Sequence, residues 1–330
     1  MKSLKEQIKD REFGSLYLLF GEEKYLVRLN LGRIRKAMLS EEDEMMNLEI
    51  LESLPDPDLF QASVETFPFM AERRLIILKD TKLFSGKNTV KNMDEYAAIL
   101  SAVPDTTTII FTEEEVDKRS RMYKLVQSEG QAFEFTHPDE DVLIQWINRE
   151  FKNRRLAISR NEIAYLLSQT GTDMERIESE ISKLESYCLD KGKVSKNDID
   201  TVVSVSIEAS IFKMTDNLCE GRNGAAYRIY KDLLRQQEPV QRILFMIIRQ
   251  IRLLYKTSLM SGADAMTVAK ELSVPAFAAR NYQRQAAKLG QERLFALMQK
   301  LLELDTGIKT GAIQADEAVE LMILSYSANR

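Results

Sequence analysis

Two stretches carry the residue types that could do chemistry or recognition. The first is Gly21-Glu22-Glu23-Lys24-Tyr25-Leu26, where an apolar run ends in glycine and a helix follows. At such a turn a phosphate-binding loop needs Gly-x-x-x-x-Gly-Lys-Ser/Thr. Its backbone N–H groups and lysine cradle phosphates, and its hydroxyl holds magnesium. Here the second glycine is missing and no hydroxyl follows Lys24. Two carboxylates stand where a phosphate would meet the helix start, and they repel it. The other Gly-Lys pairs, Gly86-Lys87 and Gly192-Lys193, have Thr81 and Tyr187 where the first glycine belongs. The apolar run ending at Lys79-Asp80 offers no Asp-Glu pair for magnesium and water. The second stretch is Phe67-Pro68-Phe69-Met70, three bulky apolar side chains around a residue that breaks regular structure. On a connecting loop such groups either fold back onto the core or insert into a partner's groove. The pattern leaves both open.

The remaining candidates are weaker. The single histidine, His137, has no cysteine or second histidine near it and reads as a satisfied loop residue. Cys188 and Cys219 have neither metal spacing nor a disulfide pattern, which fits a reducing cytoplasm. No metal or cofactor is expected. Glu113-Glu114-Glu115 is a charge run, most simply solvated. Lys118, Arg119, Arg121 and Lys124 form a basic patch able to meet phosphate oxygens. Arg149, Lys152, Arg154, Arg155 and Arg160 form a second basic cluster, and Arg242, Arg249, Arg252 and Lys256 recur along one helix. Contacts from these groups to DNA would be to the backbone and independent of sequence. Trp146 shares an apolar stripe with Leu143 and Ile147 and reads as core.

The elements that position these residues follow from periodicity. Leu16–Phe20, Leu48–Leu51, Arg74–Leu78, Thr107–Thr112 and Ala132–Phe135 are short apolar runs alternating with helical patterns. They predict a mostly parallel sheet with helices on both faces. Glu41 to Glu44 reads as an acidic, solvated linker, and Lys118 to Glu129 as a basic helix. After Pro138 the strand signal vanishes. Ser159-Arg-Asn-Glu162 is a capping box, and Met174, Ile177, Ile181, Leu184 and Cys188 make one helical stripe. Further helices run to the C-terminus, broken at Gly221, Pro239, Gly262, Pro275, Gly290 and Gly311. The expected division is an α/β domain at 1–140, a small helical domain at 141–205 and an all-α bundle at 206–330.

Composition sets limits on function. The 330 residues are 44% hydrophobic and 29% charged, ample for several cores. With 46 Lys+Arg against 51 Asp+Glu the net charge is -5, which argues against a dedicated nucleic-acid binder. The N-terminus is polar, and its first apolar run is far too short to span a bilayer. A cytoplasmic location without membrane contact is expected.

Four motifs together resemble the delta subunits of bacterial DNA polymerase III. They are Leu16-Tyr-Leu-Leu-Phe-Gly-Glu-Glu23, Phe67 to Lys79, Asp117-Lys-Arg-Ser-Arg-Met-Tyr-Lys124, and Gly171-Thr-Asp-Met-Glu-Arg-Ile-Glu-Ser-Glu-Ile-Ser-Lys-Leu184. The resemblance covers essentially the whole chain. It implies an AAA+-like first domain without a P-loop, a helical lid domain and a helical collar domain for oligomerisation. It also implies a clamp-loader subunit that hydrolyses no ATP and opens the beta sliding clamp for loading on primed DNA. In that family a hydrophobic plug, usually a Leu-Phe pair after a small residue, docks into the clamp. The matching positions here are Phe69 and Met70 after Pro68, with Phe67 able to share the role. The implied partners are the clamp, gamma/tau and delta-prime type subunits in a five-membered ring, and primer-template DNA within that ring. Two other classes compete: an AAA+ ATPase with an unrecognised nucleotide site, and a helical nucleic-acid-binding module resting on the basic clusters.

Overall fold

The computed structural model describes residues 3–86, 90–274 and 276–328. Lys87 of the Gly86-Lys87 pair and the helix break at Pro275 lie outside them. The chain divides into two compact units, Met1–His137 and Pro138–Arg330.

The first unit runs α1 (Leu4–Asp10), β1 (Leu16–Phe20), α2 (Lys24–Met38), α3 (Glu41–Asn47), β2 (Leu48–Leu51), α4 (Pro57–Glu65), β3 (Arg74–Lys79), α5 (Met93–Ser101), β4 (Thr107–Glu113), α6 (Arg121–Glu129) and β5 (Gln131–Glu134). The five strands form one sheet in the order β2-β3-β4-β1-β5. Every neighbouring pair is parallel. Crossover helices must therefore cover both faces, and the central strands are buried on both. Leu16, Leu18, Phe20, Ile76, Leu78, Ile109 and Phe111 pack on one face with Phe60, Val64, Leu100 and Val126. Tyr17, Leu19, Leu75, Ile77 and Ile110 pack on the other with Leu4, Val27, Ile34 and Leu39. This is the α/β arrangement expected for the first domain.

Three sequence expectations are corrected here. Glu41 to Glu44 is not a linker: it opens α3, whose N-cap Ser40 accepts from the Asp43 N–H while Asp43 returns the bond. Carboxylates in a first helical turn also favour the helix dipole. Lys118 and Arg119 lie in the turn ahead of α6, since that helix begins at Arg121. Glu113 is buried rather than solvated.

Apart from an isolated parallel bridge between Ala157 and Lys193, the regular elements among the described residues of the second unit are helices: α7 (Glu140–Asn153), α8 (Arg160–Thr170), α9 (Met174–Cys188), α10 (Lys196–Val202), α11 (Ile207–Cys219), α12 (Asn223–Arg235), α13 (Val240–Leu259), α14 (Ala265–Leu272), α15 (Ala276–Leu289), α16 (Gln291–Lys309) and α17 (Ala315–Ala328). One cluster of buried residues runs from Ile207 to Ile323 and takes members from α11 to α17. Trp146 is buried in α7, as its stripe requires. Among the described residues no helix is long and apolar enough to cross a membrane.

Candidate protein-docking site

The apolar turn between α4 and β3 lies at the strand-start edge of the sheet. Its side chains point outward: Phe67 is 80% exposed, Phe69 57% and Met70 89%. Of the two fates left open by the pattern, the fold back onto the core does not occur. Met70 is also held at φ 54°, a left-handed conformation that a non-glycine residue adopts at a cost.

The base of this turn is fixed even though its tip is exposed. Strand register explains how. Leu48, the first residue of β2, pairs with Leu75 near the start of β3, so the residue before β2 lies beside the turn. That residue is Asn47, which is fully buried. Its Nδ2 donates to the Phe69 carbonyl at 2.9 Å and to the Asp43 carbonyl at 3.1 Å. Its Oδ1 accepts from the Phe69 N–H at 2.6 Å. Phe69 thus receives a strand-like pair of bonds from a side chain. Glu49 of β2 ties both ends of the turn, accepting from Ser63 of α4 and Arg74 of β3, each at 2.5 Å. Thr107 adds a bond to the Val64 carbonyl at 2.9 Å. Three large apolar side chains are therefore displayed on a turn whose backbone is pinned at Phe69. This lowers the ordering cost of docking.

The opposite, strand-end edge is where α/β sheets hold nucleotides. Here it is filled with carboxylates. Glu23 caps α2 by accepting from the Tyr25 N–H at 3.2 Å and meets His137 Nδ1 at 2.9 Å. The histidine is thus the satisfied loop residue expected. Lys24 pairs with Glu114 at 2.7 Å. Glu113 accepts from the Thr81 N–H at 2.9 Å and the Thr81 hydroxyl at 2.5 Å. Burial pushes its pKa up, and the Thr81 bonds oppose that.

The basic patch is largely neutralised within the unit. Lys118 pairs with Glu134 at 2.5 Å, Arg119 with Asp117 at 3.1 Å, and Arg121 with Asp94. Lys124 is exposed on α6. In the second unit Arg154 is not a surface cation. It holds Glu150 at 2.9 Å, Glu185 at 3.0 Å and also Glu178, which makes it a structural hub. Arg242 and Arg249 line an open cleft of 1110 Å³ with Arg176, Lys213 and Arg284, but Asp173, Glu175 and Glu208 line it too. Asn47 and Arg154 were invisible as key residues in the sequence. Asn47 lies 22 positions from its partner Phe69, and the carboxylates of Arg154 come from α7 and α9.

Comparison with known proteins gives a consistent family. Residues 17–136 match the family model described as DNA polymerase III, delta subunit. Residues 208–326 match the model of the DNA polymerase III delta subunit, C-terminal domain. The DNA polymerase III subunit delta of Bacillus subtilis is 26% identical over 328 residues, covering 97% of this chain and 94% of that protein. A probable DNA polymerase III subunit delta of Aquifex aeolicus is 22% identical over 214 residues, covering 62% of this chain and 59% of that one. The solved Bacillus subtilis DNA clamp loader delta protein superimposes with a TM-score of 0.69 at 24% identity over 98% of both chains, which supports the fold. With both family models matched in order and together spanning most of its length, the chain belongs to the DNA polymerase III delta-subunit family.

Proposed function

We propose that this chain binds the beta sliding clamp through Phe69 and Met70, with Phe67 beside them, and holds the ring open for loading on primed DNA. The observation that carries the reading is the exposure of all three side chains on a turn whose backbone is fixed by Asn47. The mechanism is binding rather than covalent catalysis. A ligand shifts a closed-to-open equilibrium only by its difference in affinity for the two states. A rigid apolar plug that fits the open ring better than the closed one supplies such a difference. Residues 1–140 are the clamp-binding domain in this reading, 141–205 a lid and 206–330 a collar. The collar joins gamma/tau and delta-prime type subunits in a five-membered ring. The separate buried cluster of α11 to α17 supports the collar boundary. Primer-template DNA meets the chain only within that assembly, where Lys118, Arg119, Arg121 and Lys124 are the candidate phosphate contacts. The working location is the cytoplasm.

The energy is adequate. Burying a Phe or Met side chain is worth roughly 1.5–3 kcal/mol. Loss of both anchors should therefore weaken binding by about a hundred- to a few-thousandfold. The test compares purified clamp binding by the wild type and by a Phe69→Ala/Met70→Ala double variant, with thermal melts of both. Lost binding with an unchanged melt is expected. Wild-type affinity in the variant would sink the proposal.

A further inference from the structure

We propose that Met45 and Met46 of α3 form a second apolar contact for the clamp, so that the ring is gripped along an edge rather than at one point. This rests on the reading of Phe69 and Met70 as the anchor. Met45 is 85% exposed and Met46 57%. Single exposed apolar residues are ordinary, but a contiguous group marks a binding surface. These two methionines directly precede Asn47, whose side chain is bonded to both the N–H and the carbonyl of Phe69. The end of α3 and the plug turn thereby meet at the strand-start edge of the sheet. Five exposed bulky apolar residues lie on these two segments: Met45 and Met46 on α3, and Phe67, Phe69 and Met70 on the turn. Methionine is flexible and polarizable, which suits a contact that must follow a partner's shape.

The charge beside the methionines defines the partner further. Glu41 and Glu42 are exposed in the first turn of α3. Glu44 is taken up by Arg35, and Asp43 by the capping box. The matching surface is an apolar groove with a cationic rim. Continuity with the anchor assigns that groove to the clamp rather than to a second copy of this chain.

The experiment uses the full chain and purified clamp. Met45→Ala/Met46→Ala is measured beside Phe69→Ala/Met70→Ala, with melts of each and sedimentation of the free proteins. The α3 variant is expected to bind about tenfold or more weakly with an unchanged melt, since its residues lie at the surface. Glu41→Lys/Glu42→Lys is expected to slow association and to flatten or reverse its salt dependence. Wild-type affinity in the α3 variant beside lost binding in the anchor variant overturns this proposal alone. Wild-type affinity in the anchor variant overturns the anchor reading, and this proposal with it. A self-association of the wild type that the α3 variant abolishes, with clamp affinity unchanged, also overturns it, because the patch would then be a contact between copies.

Discussion

Asn47 holds Phe69 by two hydrogen bonds, at 2.9 and 2.6 Å, although the two residues lie 22 positions apart. A buried side chain thus takes the place of a neighbouring strand for one residue of an exposed turn. Replacing it with alanine leaves the Phe69 peptide without these partners and opens a small cavity. Asn47→Ala should lose about 1–3 kcal/mol of stability, read as a lower urea midpoint. If the turn is the clamp anchor proposed above, the same change should also weaken clamp binding, since the backbone of the turn is then free to move. An unchanged midpoint would show that the two bonds contribute nothing.

In the proposed anchor, Met70 would set stability and docking against each other. Its φ of 54° suits glycine better than a side chain. Met70→Gly is expected to match or exceed wild-type stability by up to about 1 kcal/mol, while Met70→Val falls by roughly that amount. Under the proposed clamp-binding reading, both should bind the clamp less well. Chemical denaturation and clamp titration of the same three proteins would check this, and a glycine variant clearly less stable than wild type would refute it.

Glu113 makes stability pH-dependent in a stated direction. Its pKa in the folded chain is raised above the ordinary carboxylate value, chiefly by burial. The folded state therefore binds its proton more tightly than the unfolded state. The stabilisation from this proton is complete below the unfolded pKa and is lost as pH rises through the folded one. Glu113→Gln should remove this dependence while its oxygen still accepts from Thr81. The variant should gain on wild type as pH climbs through the window between the two values. Denaturation midpoints across mildly acidic to neutral pH would show it, and parallel curves would exclude it.

Arg154 neutralises carboxylates that cannot easily reach water. Glu150 and Glu178 are largely buried beside it, and burial raises the pKa of Glu178. Removal of one partner from such a network leaves uncompensated charge. Arg154→Ala should cost about 3 kcal/mol. The further change Glu178→Gln should restore part of that loss, a coupling that a double-mutant cycle measures. Additive effects would mean that the two groups act independently.

The sheet was readable because its strands are short apolar runs separated by helices, a pattern set by burial on both faces. The helical second half was readable from capping boxes and stripes. α3 escaped because its only apolar residues, Met45 and Met46, point to solvent and make no stripe, while its four acids resemble a linker. The signal that would have found it is the Ser40-x-x-Asp43 box. The fate of Phe67, Phe69 and Met70 could not be settled from their order. Exposure depends on how β2 and β3 come together, and Asn47 is the residue that records it. Arg154 reads as one member of a basic cluster because two of its three carboxylate partners, Glu178 and Glu185, are brought to it only by packing.

Trp146 has a practical consequence. It is the only tryptophan in the chain, and it is buried in α7 of the second unit. Fluorescence excited selectively at tryptophan therefore watches the helical half, since the α/β unit carries Tyr17, Tyr25, Tyr96 and Tyr123 but no tryptophan. Circular dichroism sees both. Superimposable transitions from the two spectroscopies would mean that the halves melt as one cooperative block. A circular-dichroism transition without a matching fluorescence change would be the α/β unit unfolding by itself.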